Sequence, residues 1–270
     1  MVISGVCSLL IGKAWAFFGS KSVLWAVVPL CRPAAPDLVS SSDAYALRFR
    51  GGVGKWHLDV QRKTLLRMLA PRPGVTVLDV GGGHGQYAKD LIDLRYDLTI
   101  LGSEPQSAPR IAPLVSEGKC RFVTGHFLNL PQADRSFDTV VSIRQFSHME
   151  NWEGFLSELC RVAERAVIFD APVSRSFNIA SRLLFSIKRR IENRTTRPFA
   201  VRSEQEIVDA LGRSGFSVTG RAPQFFFPMA LHRLVRWAPL VRMVEGLCRV
   251  AGLTRMFGSP VIFRAERVSP

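Results

Sequence analysis

The run Val75-Thr-Val-Leu-Asp-Val-Gly-Gly-Gly-His-Gly-Gln86 places a carboxylate beside glycines at 81, 83 and 85, residue types that hold a ligand through the backbone. Glycine lets the chain bend sharply and approach a ligand where a Cβ would collide. Before the glycines, Val75, Val77, Leu78 and Val80 read as a strand covered on both faces. After them, Gln86 to about Arg95 reads as a helix, whose unpaired N–H groups and positive dipole end face whatever lies over the turn. The spacing disfavours a dinucleotide fingerprint, because G-x-G-x-x-G counted from Gly81 needs a third glycine where Gln86 stands. Arg144 and His148 follow another apolar run, Phe137 to Ile143, and bring an anion clamp and a candidate base. Metal chemistry has no support. The five cysteines form no C-x-x-C, and no two histidines stand at i, i+3 or i, i+4.

Further apolar runs supply the elements that must position these residues. Leu98–Glu104, Cys120–Phe127, Phe137–Ile143, Ala166–Asp170, Gly215–Arg221 and Pro260–Arg267 read as strands separated by helical stretches. This alternation predicts a parallel α/β sheet with its ligand at the carboxyl ends of the strands. Two helical insertions are expected on the substrate side, a lid at 172–200 and a second segment at 228–258, both within a domain spanning 43–270. Ser203-Glu-Gln-Glu206 is a capping box that should start a helix. Residues 1–42 read as an apolar segment and a linker, the linker being Arg32 to Ser42. Lys13 and Lys21 cut the apolar part into runs of 12, 7 and 10 residues. A membrane span needs ~20, so an interfacial or packing helix is expected, with an anchor as the alternative.

The sequence Asp79-Val-Gly81-Gly-Gly83-His-Gly85 resembles the D-x-G-x-G-x-G motif of class I S-adenosylmethionine (SAM) dependent methyltransferases. Leu130-Pro-Gln-Ala-Asp-Arg-Ser-Phe-Asp-Thr-Val-Val, then Phe146-Ser-His148 and Phe155-Leu-Ser-Glu-Leu-Cys-Arg-Val162, closely resemble the type 11 methyltransferase subfamily in order and spacing. The resemblance covers roughly residues 54–268. It implies a Rossmann-like, seven-stranded, mostly parallel sheet flanked by helices. The implied activity is transfer of a methyl group from SAM to a small, hydrophobic or lipid-like acceptor in biosynthesis. A SAM-fold protein that binds without catalysis is the alternative.

By the same resemblance, Asp79 and the backbone of Gly81, Gly83 and Gly85 would hold the methionine half of the cofactor. The family's ribose-binding acid at the end of the second strand is replaced by Gly102, and Glu104, on the same side of an extended chain, would substitute for it. His126 stands where the family has an aspartate for adenine; it would accept that bond while Phe127 lies against the purine, with ordinary core packing as the alternative for both. His148 would be the base if the acceptor must lose a proton, or else cap the next helix. Arg144 would orient an anionic acceptor, or else be a rim charge.

The net charge of +14 is uneven: +3 over residues 1–174, +6 over 175–200 and +6 over 221–270. Amphipathic basic stretches at 181–192 and 229–250 are either core faces or surfaces for a lipid-like acceptor or a membrane. Nucleic acid is not expected as a partner. The fourth strand ends in Ser-Ile-Arg-Gln-Phe, without the Asn/Asp-Pro-Pro-aromatic that holds a base amine. Five cysteines, odd in number and widely spaced, fit a reducing compartment, and a cytoplasmic location is expected, with membrane association as the alternative.

Overall fold

Seven strands form one sheet in the order β3-β2-β1-β4-β5-β7-β6. They are β1 (Thr76–Val80), β2 (Asp97–Gly102), β3 (Arg121–Thr124), β4 (Phe137–Ser142), β5 (Ala163–Ala171), β6 (Phe216–Pro223) and β7 (Val261–Arg267). Neighbouring strands are parallel except at β7, which runs antiparallel to β5 and β6. This computed structural model describes residues 36–69, 73–176 and 201–268. The apolar segment 1–31, the stretch 181–192 and most of the expected lid lie outside the described residues.

Strand periodicity explains how the sheet acquires two buried faces. Along β5, Val167 and Phe169 enter the cluster that contains Phe155, Leu159 and Phe263, while Ile168 enters the one with Leu65, Leu91 and Ile100. Leu78 and Val77 divide in the same way on β1. Burying each such side chain contributes roughly 1.5–3 kcal/mol. The helices that cover these faces are α1 (Pro36–Ser40), α2 (Asp43–Ala46), α3 (Gly51–Leu69), α4 (Ala88–Asp93), α5 (Ala112–Ser116), α6 (Trp152–Val162) and α7 (Glu204–Arg213). Three more, α8 (Met229–Val235), α9 (Ala238–Val250) and α10 (Leu253–Phe257), stand between β6 and β7, where a helical insertion was expected.

Two local expectations change. The helix after the glycines begins at Ala88, because a 3₁₀ turn over Gly82–His84 intervenes and His84 Nδ1 accepts from Gln86 N at 3.1 Å. The supposed linker contains α1, with Asp37, Ser40 and Ser41 buried. Its bonds to the sheet edge, described below, hold a helix too short to stand alone.

The winding of the chain fixes where a ligand can lie. β1 pairs with β2 on one side and β4 on the other, so the crossovers reverse direction there. Such a switch point opens a crevice above the carboxyl ends of the strands.

Candidate functional site

The glycine turn closes the end of β1 under tight constraints. Gly81 has φ 80°, a left-handed conformation that favours glycine, and its N–H donates to Leu101 O at 2.7 Å. At Gly83 a Cβ would run into the carbonyl oxygen of Ser107, so the turn and the segment after β2 touch backbone to backbone. Asp79 lies beneath them at 2% exposure. Its carboxylate occupies the space a Cβ on Gly82 would need, and its Oδ1 has no hydrogen-bond partner among the described residues. Burial pushes Asp79 up to about 7, against the opposing pull of Arg144.

Helix α1 completes this end of the crevice. Asp37 Oδ2 accepts from Ser103 N at 2.8 Å, at the tip of β2, while Oδ1 has no partner among the described residues. Gln145, just past β4, donates through Nε2 to Gly81 O and Ser40 Oγ, both at 3.1 Å. Its Oε1 and the hydroxyls of Ser41 and Ser103 also lack partners among the described residues. Buried polar groups are almost always paired. Their concentration at the ends of β1, β2 and β4 marks a place where a polar ligand would supply the missing bonds.

A second network lies toward β5. Arg144 has φ 66°, an uncommon conformation for a side-chain-bearing residue, and its N–H donates to Asp170 Oδ1 at 2.6 Å. The guanidinium donates to Gln86 Oε1 and packs 5.6 Å from the Tyr45 ring and 5.3 Å from that of Phe49. Asp170 Oδ2 accepts from Gln61 Nε2 at 3.2 Å, and Tyr87 donates to Gln61 Oε1 at 2.7 Å. Burial raises Asp170 to about 6.

The structure gathers Asp79, Gly81, Gly83, Gly85 and Arg144 around the crevice. Glu104 is half-buried and heads the turn Pro105–Ser107, its carbonyl accepting from Ser107 N. His126 is exposed, and its Nδ1 accepts from Leu128 N at 3.2 Å. Phe127 is a core residue stacked on Phe155 at 5.9 Å, so packing rather than purine contact is what the geometry shows. His148 is half-buried at the end of the turn Phe146–His148. Sequence reasoning missed Asp37, Gln61, Gln145 and Asp170. Asp170 had a visible signal, an acid ending an apolar strand as Asp79 does; Asp37 had only its place after a proline at a helix start.

A glycine turn over an acid-ended strand, set at the switch point of a doubly wound sheet, defines a cofactor-binding α/β domain. Residues 78–169 match the family model for a methyltransferase domain. A sterol 24-C-methyltransferase of Gibberella zeae is 35% identical over 103 residues, which cover 36% of this chain and 27% of that protein. An O-methyltransferase of Pyrenophora dematioidea is 35% identical over 113 residues, covering 39% of this chain and 42% of that one. The chain therefore matches less than half the length of either relative. In fold it is similar to the magnesium protoporphyrin IX methyltransferase of Synechocystis with bound SAH, with a TM-score of 0.59, 16% identity, and coverage of 87% of this chain and 98% of that one.

Proposed function

We propose that this chain transfers a methyl group from SAM to a small, hydrophobic or lipid-like acceptor. The observation that carries the reading is Asp79, a buried carboxylate with an open oxygen beneath the glycine turn at the switch point. The residues present suit this cofactor. Its ammonium and ribose hydroxyls need buried acceptors, and Asp79 and Asp37 each offer an oxygen without a partner among the described residues. When bound, the cofactor would supply an activated methyl carbon. The chain's task is then to align the acceptor and exclude water.

Support for a hydrophobic acceptor comes from exposed Trp237, between α8 and α9, and exposed Met243, Leu247 and Val250 on α9. The relatives point the same way, since sterol 24-C-methyltransferases of Gibberella zeae and Aspergillus fumigatus are among them.

Titration calorimetry with SAM on the full chain tests the proposal. Binding is expected, with at least tenfold weakening (~1.4 kcal/mol) in Asp79→Ala. Equal affinity in the variant, or no binding to the wild type, defeats the reading. A valine at Gly83 would be a poorer probe, because it would strike the Ser107 backbone with or without ligand.

A further inference from the structure

Beyond the crevice, three buried side chains from three helices form a hydrogen-bonded line that methyl-donor binding does not use. Glu245 on α9 accepts from the backbone N–H groups of Phe227 at 2.8 Å and Phe226 at 3.0 Å. His232 on α8 lies with Nε2 3.0 Å from Glu245 Oε1, and His57 on α3 with Nε2 2.9 Å from His232 Nδ1. All three are at most 3% exposed. Among the described residues no group of His, Cys, Asp or Glu converges as metal ligands would, so this is a chain of hydrogen bonds.

The partners dictate where the protons sit. A carboxylate already accepting two amides accepts again from His232, which places the His232 proton on Nε2 and a lone pair on Nδ1. That lone pair requires a proton on His57 Nε2. Neutral His57 is left with its own lone pair on Nδ1, an atom that is buried and has no partner among the described residues. Burial first, then His232 and Arg233, lower His57 to about 3, so it is uncharged at neutral pH.

The line ends on the ligand-bearing edge of the sheet. His57 lies one helical turn before Gln61, which binds Asp170 at the carboxyl end of β5. The ring of Phe225, which follows the carboxyl end of β6, packs 4.9 Å from that of His57 and 5.1 Å from that of Trp56.

We propose that Nδ1 of His57 is the base that takes the proton from an acceptor bearing an acidic hydroxyl, a phenol or an enol. This rests on the methyl-transfer reading above. As the O–H bond breaks, its electron pair stays on oxygen, which bonds the methyl carbon, while the pair of the broken methyl–sulfur bond stays on sulfur. The proton goes to His57 Nδ1. The His57 Nε2 proton passes to His232, whose own proton passes to Glu245. The transfer thus neutralises a buried carboxylate instead of leaving a buried cation. His232 and Glu245 act as positioning residues. Burial weakens His57 as a base, so it suits only phenols and enols, which titrate far closer to neutrality than aliphatic alcohols do, with the relay to Glu245 carrying the charge away.

The test follows methyl transfer from labelled SAM by the full chain across phenols, enols and amines, with calorimetry of SAM binding alongside. Wild type should turn over a phenol or enol. His57→Gln keeps a donor toward His232 but removes Nδ1; it should lower kcat at least a hundredfold with SAM affinity within twofold, and added imidazole should restore part of the rate of His57→Ala. Long-range proton–nitrogen NMR of the wild type at pH 7 should show His57 protonated on Nε2 and bare on Nδ1. Unchanged kcat in a His57→Gln protein that still binds SAM, turnover of amines alone, or the opposite tautomer would overturn the proposal while sparing the methyltransferase reading. Absence of SAM binding to wild type removes both. Should His57→Gln fail to melt cooperatively, the wild-type tautomer decides.

Discussion

Asp79 shows at the residue scale how a binding group can weaken the fold that holds it. Its folded-state pKa is raised from 3.8 to about 7, so between those values the folded chain binds a proton that the unfolded chain lacks. That contribution is complete below 3.8 and is lost as pH rises through about 7. Asp79→Asn should therefore raise the ligand-free Tm by a few degrees at pH 8 and by little near pH 4, while SAM affinity falls; melts at both pH values check this. Wild-type affinity should itself weaken below pH 7, because the ammonium is best held by the ionised carboxylate. The ribose contact is a second test at this scale. A side chain at Gly102 would strike Ser107 Oγ and crowd the Phe122 ring, so this packing leaves no room for an acid at the strand end. Buried Asp37 with its open oxygen is better placed than half-buried Glu104. Asp37→Asn should weaken SAM more than tenfold, the usual loss for a bond to a charged acceptor, and Glu104→Ala should weaken it less than threefold. Calorimetry showing the reverse order would return the role to Glu104. Asp79 was legible because motif spacing is local. Asp37 was not, because its bond to Ser103 joins positions 66 residues apart.

Elements were readable in proportion to their length and to how locally they are specified. The strands announced themselves by apolar runs, and α7 by its capping box: Ser203 Oγ accepts from Glu206 N at 3.1 Å, and the Glu206 carboxylate accepts from Ser203 N at 2.7 Å. Ser203→Ala should cost about 1 kcal/mol and lower the Tm while leaving SAM affinity unchanged, since α7 packs on α6 and β6 away from the glycine turn. A change in affinity would show that the cap communicates with the site. Helix α1 failed the same reading. Its five residues are too few for a helical period to show, and tertiary bonds from Asp37 to Ser103 and from Ser40 to Gln145 hold it in place. The glycine turn was read as running directly into a helix because sequence spacing does not register the 3₁₀ turn between them.

The surface of the molecule between β6 and β7 joins the charge bias to exposed apolar groups. Met243, Leu247 and Val250 form one stripe along α9, at spacings of four and three residues, and Arg242 and Arg249 line one edge of it. Leu234, Val235 and Trp237 add exposed apolar surface beside Arg236. The opposite face of α9 is core, with Val241, Glu245 and Cys248 buried, so the basic stretch read from sequence is both a packing face and a free one. No helix among the described residues is long and apolar enough to cross a membrane. A surface of this kind instead fits the headgroup boundary of an anionic bilayer, where apolar side chains enter and arginines meet the phosphates. We therefore expect the full chain to co-sediment with anionic vesicles at low salt and to release as ionic strength rises, because screening acts beyond about 8 Å at physiological salt. Leu247→Glu should reduce the bound fraction severalfold and leave SAM affinity unchanged, which separates this face from the fold. A chain beginning at Ala34 tests whether the preceding apolar segment contributes. If neither chain associates with anionic vesicles at low salt, the stripe has another use, and an acceptor dissolved in water becomes the better reading.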